Sequence, residues 1–243
     1  MRDTLLDPLR ACAREIGEVV RPGERAGYSG RRETQYHLDV AADEVAVRVL
    51  TGAGFRVVSE ESGVTGDGDY TVVVDPIDGS TNCDHGIPFY ATSLAVVGAG
   101  ELVAGLVVNQ ATGTAYEAER GQGATRDGGP ITPSAVDTLG RAVVAFSGLP
   151  GRHLGWAQYR ALGAAALEIC LVADGSLDLF SVARHSTLHP WDYLAGLLVA
   201  REAGAVVGEW DARELVTTEP VARRLLVAAT AALWDECRAL GAP

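Results

Sequence analysis

The 243-residue sequence contains no lysine; all 20 of its basic side chains are arginine. Schiff-base catalysis, a covalent pyridoxal site and a phosphate-loop lysine are thereby excluded, since each needs a primary amine. Cysteine is sparse, and Cys12, Cys83, Cys170 and Cys237 lie too far apart for any CxxC redox or metal pattern. A reducing, cytoplasmic setting is the expectation that follows. His37, His85, His153, His185 and His189 show neither HExxH nor paired spacing, which argues against a zinc site. No stretch approaches the about 18 uninterrupted apolar residues of a membrane span. The opening segment MRDTLLDPLRACAREIGEVV carries charge every few positions, unlike a signal peptide. Positive charge is also in deficit, with 32 acidic side chains giving a net charge of −12. That balance argues against a nucleic-acid polymer or an anionic membrane as partner and favours divalent cations.

Three familiar motifs are missing as well. There is no G-x-S-x-G elbow for a serine hydrolase. The run from Asp67 has Val72 where a calcium loop needs its sixth-position glycine, and GAGELV has Val103 where a dinucleotide fingerprint needs its third glycine. What remains is a chain 47% apolar and 21% charged, the composition of a folded globular protein. Its length suits one compact domain in two lobes, about 1–140 and about 141–243, without repeats or linkers.

Leu5, Leu9, Ala13, Ile16 and Val20 recur at helical spacing and predict an amphipathic opening helix that stops before Pro22 and Gly23. A second helix is expected over 39–51, followed by a strand FRVVS that runs into Glu60 and Glu61. After a GDGD loop comes the strand YTVVV, and residues 90–119 alternate and turn as an antiparallel meander. The second half predicts a strand at 142–147, an alanine-rich helix near 163–173, the strand LDLFSV and a helix from Trp191 to Ala203 stopped by Gly204. Two strands, AVVGE and RRLLVAA, then lead to a final helix with Thr230 as N-cap. The order predicts an α+β or layered α/β/α protein.

The densest chemistry lies in DPIDGSTNC, residues 75–83, at the exit of the YTVVV strand. Asp75, Asp78 and the Ile77 carbonyl, turned by the irregular backbone at Pro76, supply three oxygen donors in four residues. Gly79 permits close backbone approach, and if Ser80 and Thr81 open a helix their N–H groups are free to receive an anion. Hard oxygen ligands beside an anion cradle suit Mg²⁺ and a phosphate ester. Glu60, at the end of another predicted strand, is the best further ligand. Asp192, beside Trp191, and Asp43, on the second helix, each read better as an ordinary first-turn or surface acid when taken alone.

Taken together, SEES, DPIDGSTN and WDYLAG resemble the signature motifs of the inositol monophosphatase family of Mg²⁺-dependent, lithium-sensitive phosphatases, and RGQGATRDGGPI and EAGAVV resemble family segments too. The resemblance implies a layered α-β-α-β-α sandwich, a homodimer and two or three Mg²⁺ per chain. It implies that Glu60, Asp75 and the Ile77 carbonyl hold the first ion and that Asp75, Asp78 and Asp192 hold the second. Glu60, or a pair formed by Asp43 and Ser80, would take a proton from the attacking water, with Asp43 near a third, looser ion. Gly79, Ser80 and Thr81 would receive the phosphate. Arg32 stands where the family often has lysine. Gly163, Ala164 and Ala165, with Arg184, His185 and His189 from an altered segment lacking the family's inositol-gripping glutamate, are candidates for the substrate side.

The implied function is hydrolysis of a small polyol, sugar or amino-alcohol phosphate by in-line attack of metal-activated water. A nucleotide 3′-phosphate, histidinol phosphate or sugar bisphosphate is the alternative within the family. A non-catalytic metal- or phosphate-binding relative is the alternative outside its chemistry.

Overall fold

The computed structural model describes residues 4–31 and 35–243, so Arg32 lies outside the described residues. Five layers stack in the order helix, sheet, helix, sheet, helix. The opening helix α1 (Leu6–Val19) buries Leu9, Cys12, Ala13 and Ile16, the face expected from its spacing. It packs with α2 (His37–Gly52) on one side of an eight-stranded sheet. That sheet comprises β1 (Arg56–Ser59), β2 (Gly63–Thr65), β3 (Tyr70–Asp78), β4 (Ala91–Gly98), β5 (Glu101–Asn109), β6 (Ala115–Glu119), β7 (Ala124–Arg126) and β8 (Gly129–Pro130). Their spatial order is β2-β1-β3-β4-β5-β6-β7-β8, and only the β1–β3 pair is parallel within the extended core of the sheet.

The apolar run of β3 shows how the layers divide. Successive side chains point to opposite faces, so Val72 and Val74 join α1 and α2 while Val73 joins the central helices. A strand buried on both faces is continuously apolar rather than alternating, which is why YTVVV reads as a run. The central layer is α4 (Ala165–Ala173) and α5 (Pro190–Ala203), both apolar nearly all round because sheets cover them on two sides. Glycine permits the closest approach here, since a Cβ at Gly105 of β5 would sit 3.0 Å from the Ala195 carbonyl oxygen of α5.

The second sheet comprises β9 (Val143–Ser147), β10 (Gln158–Arg160), β11 (Leu179–Val182), β12 (Val206–Glu209) and β13 (Leu225–Ala228), in the order β10-β9-β11-β13-β12. Phe180, Val182 and Val227 face the central helices, while Val144, Phe146, Leu179 and Leu226 face α6 (Ala231–Leu240). Thr230 caps α6 as the sequence predicts, accepting a hydrogen bond from the Leu233 amide at 3.2 Å. The layered sandwich expected from the sequence is therefore the fold. No helix among the described residues is long and apolar enough to cross a membrane.

The predicted second helix begins two residues early, at His37, because Tyr36 and Asp39 form a reciprocal cap: the Asp39 carboxylate accepts from the Tyr36 amide at 2.7 Å. The short edge strands β2 and β10 were not expected, since three residues carry too little periodicity to read.

Candidate active site

The β1 and β3 strands run parallel with Ser59 opposite Val74, which brings Glu60, just past β1, level with the end of the apolar run of β3. The Glu60 amide extends the ladder to the Val74 carbonyl at 3.1 Å. Beyond Asp75 the pairing with β4 slips until Asp78, because Pro76 has no N–H to give to the ladder. Its free carbonyl is taken instead by the Thr92 hydroxyl at 2.9 Å. The short helix α3 (Ser80–His85) follows, entered through Gly79 with φ +90°. A Cβ at residue 79 would lie 2.9 Å from the Gly163 carbonyl oxygen, so glycine is required by both conformation and space.

From the other side, the N-terminus of α5 delivers Asp192. One of its oxygens accepts from the His189 amide at 2.6 Å, closing a capping box, and the Ser93 hydroxyl ties the Trp191 carbonyl to β4 at 2.9 Å. Glu60, Asp75 and Asp192 thus converge, with one oxygen from each lying within 4.8 Å of the others. Asp75 is buried and the other two are partly so.

Burial dominates the electrostatics of this cluster, and repulsion adds to it. Burial and then Asp192 push the Glu60 carboxyl up to about 8, and it shares a hydrogen bond with Asp75. Asp75 is pushed well above the carboxylate range by burial and by Glu60. Asp192 rises to about 7 through burial, although the His189 amide works the other way. Three acids that resist ionisation beside one another form a site suited to a hard divalent ion.

Asp78 has a double attachment. It lines the cavity beside Asp192, and its oxygens accept from the first amides of α4, Ala165 at 3.2 Å and Ala166 at 2.7 Å. Burial raises it to about 8 despite those amides. The Ile77 carbonyl oxygen accepts from the Ser80 hydroxyl at 2.9 Å. Thr81 meets the Tyr36 hydroxyl at 3.1 Å.

The expected pairing of Ser80 with Asp43 is corrected by the structure. Ser80 Oγ lies 2.6 Å from Asp39, one helical turn earlier on the same face of α2, whereas Asp43 accepts from the Ser59 and Ser62 hydroxyls. Burial raises Asp39 to about 6. The substrate-side expectations divide. Gly163, Ala164 and Ala165 line a cavity of about 470 Å³ together with Asp78 and Asp192. Arg184, His185 and His189 are not in its lining: Arg184 and His185 are exposed, and the His189 ring stacks on Trp191 at 5.1 Å. The altered segment turns these side chains away because its backbone is committed to capping α5 and, at Arg184, to the Pro243 carbonyl.

Three participants escaped the sequence. Asp39, the first acid in HLDVAAD, accepts from the Tyr36 amide three residues earlier, a spacing that is the available signal for its place at the helix start. Glu168, 1% exposed, lines the cavity and was hidden in the alanine-rich helix, where a lone acid in AALEICLVA was the available signal. Asn82 donates to the Phe89 and Leu162 carbonyls, each at 2.7 Å, and so joins the DPIDGSTN loop to the second lobe.

The sequence matches the inositol monophosphatase family over residues 1–239. It is 36% identical over 215 residues to the fructose-1,6-bisphosphatase/inositol-1-monophosphatase of Thermococcus kodakarensis, covering 83% of this chain and 82% of that protein. It is 33% identical over 223 residues to the inositol-1-monophosphatase of Mesorhizobium japonicum, covering 83% of this chain and 81% of that one. A solved inositol monophosphatase–fructose 1,6 bisphosphatase superposes with a TM-score of 0.86 at 27% identity, over 98% of this chain and 100% of that one. An extragenic suppressor protein from Bartonella henselae superposes with a TM-score of 0.82 at 28% identity, over 97% of both chains. With its layered fold and its converging carboxylates, the chain belongs to the inositol monophosphatase family.

Proposed function

We propose that this chain is a Mg²⁺-dependent phosphomonoesterase acting on a small polyol or sugar phosphate. The observation that carries the reading is the convergence of Glu60, Asp75 and Asp192 beside a cavity large enough for such an ester. The donor set fits the ion: all are hard oxygens, and their mutual repulsion leaves charge that a divalent cation offsets. Glu60, Asp75, Asp192 and the Ile77 carbonyl would hold it, with Asp78 available to a second. Bound there, the cation supplies Lewis acidity to the attacking water and neutralises developing charge.

The remaining work falls to the chain's own groups. Ser80 Oγ sits between the Asp39 carboxylate and the Ile77 carbonyl, so its proton lies toward an acceptor and an oxygen lone pair is left to orient a water. Asp39 or Glu60 takes the water's proton as its oxygen bonds to phosphorus; the bond to the alcohol oxygen breaks and the alcohol leaves with a proton from solvent. The amides of Gly79 to Thr81 would face the phosphoryl oxygens. The four free, buried cysteines support a cytoplasmic setting, and the family resemblance alone supports self-association as a homodimer.

The test is phosphate release from inositol 1-phosphate, glycerol phosphates and sugar phosphates with Mg²⁺ and with EDTA. Release that EDTA abolishes is the expected result. Release that persists in EDTA overturns the reading.

A further inference from the structure

The same cavity that receives the ester has an end built for its alcohol, and this inference rests on the phosphatase reading. Among the described residues, the charged side chains of the lining are Asp78, Glu168 and Asp192, and no arginine or histidine joins them. Arg160, which precedes the lining residue Ala161, and Arg184 are exposed, and the Arg160 guanidinium is held by the Gln158 side chain and the Tyr159 carbonyl. Asp78 and Asp192 belong to the cation end. Glu168 is outside the converging set, with Asp78, whose carboxyl its charge helps to raise, as its acidic neighbour.

Glu168 is held in place by one oxygen, which accepts from the Leu162 amide at 2.8 Å. Its second oxygen accepts no protein hydrogen bond, yet it is not sealed in the core, since Thr4 Oγ1 is the one fully buried, unpartnered side-chain oxygen or nitrogen among the described residues. That second oxygen is therefore open to the cavity. A carboxylate 1% exposed, with half its accepting capacity unused, needs a donor from whatever fills the space before it.

We infer that Glu168 is a specificity-determining residue that accepts a hydrogen bond from the alcohol portion of the substrate and excludes a second phosphate, so that the preferred ester carries one phosphate on a hydroxyl- or ammonium-bearing alcohol. Burial raises Glu168 to about 7, so above that pH a second phosphate entering this end meets a carboxylate and no basic side chain, and like charges brought together in a partly desolvated site repel. A hydroxyl or ammonium group completes the carboxylate's hydrogen bonding. Apolar neighbours such as Leu188 and Ala164 fill the rest of the wall.

The experiment compares inositol 1-phosphate with fructose 1,6-bisphosphate on the wild type and on Glu168→Gln, which keeps the side-chain volume and an oxygen for the Leu162 amide. The wild type is expected to favour the monophosphate by at least about tenfold in kcat/KM, carried mainly by KM. E168Q should shrink that ratio about tenfold, losing on the monophosphate and gaining on the bisphosphate. An amino-alcohol monophosphate in the same assay separates the two donor types, since E168Q should weaken an ammonium ester more than a neutral polyol ester. A merely structural role for Glu168 would lower both esters equally, and that result, or equal use of both by the wild type, overturns the inference. Calorimetric titration of the same esters reads the ratio without turnover. The predicted binding ratio with no turnover would sink the phosphatase reading and leave the filter standing. Turnover with no discrimination would do the reverse, and failure of both esters to bind would sink both.

Discussion

The two ends of the cavity use the same chemical group to opposite purposes. At the cation end one oxygen each from Glu60, Asp75 and Asp192 lies within 4.8 Å of the others; Glu168 is held outside that set by the Leu162 amide, with Asp78 as its acidic neighbour. Crowding makes the first set repel, whereas Glu168, outside that set, is left a hydrogen-bond acceptor that rejects anions once ionised. Placement by the backbone decides which role a carboxylate plays. The crowded acids stand at the ends of β1 and β3 and the start of α5, where three elements converge. Glu168 sits within α4, one turn after the amides that hold Asp78.

The largest effect that sharpens this contrast is expected from Asp75→Asn, the buried member of the crowded set. Removing its charge should lower phosphate release by about 10³-fold or more while the fold, followed by circular dichroism, is retained. Activity within tenfold of wild type would mean that the crowded end is not the reacting end. A smaller contrast lies within α2. Asp39→Asn should cost about 10²-fold in kcat, because it removes the partner of Ser80. Asp43→Asn should leave turnover nearly unchanged and cost about 1–2 kcal/mol of stability through the Ser59 and Ser62 bonds. The reverse ranking would restore Asp43 as the working acid.

Much of this was legible before any coordinates. DPIDGSTN marks itself because proline, glycine and paired acids at a strand exit have no ordinary role in a ladder, and the α5 start reads from Trp191, Asp192 and the apolar run behind them. Asp39 was not legible as the partner of Ser80, since two acids one turn apart on α2 differ only in how the helix is set against α3. Glu168 was not legible for a related reason: a pattern of apolar residues tells that α4 is buried but not which layer opens into a cavity. Arg184 and His185, expected on the substrate side, do not line the cavity, because charge in a loop says nothing of the direction in which it points. Their exposure follows from backbone bonds that sequence spacing does not encode.

The claim at the centre of this account is that the crowded end is a strained carboxylate cluster relieved by a cation, and the thermal unfolding midpoint at pH 6 and pH 8.5, with and without Mg²⁺, tests it most directly. Glu60, Asp78 and Asp192 are raised above their unfolded values, so the folded chain holds protons there that the unfolded chain has already lost. Their contribution is present below about pH 4 and is lost as pH rises through about 7 to 8, so the metal-free midpoint should fall between pH 6 and pH 8.5. Saturating Mg²⁺ should then raise it by about 5–10 °C at pH 8.5 and by less at pH 6, where protons compete, with the rise largely gone in D75N. A Mg²⁺ effect that is absent at pH 8.5, or unchanged in D75N, would contradict the account.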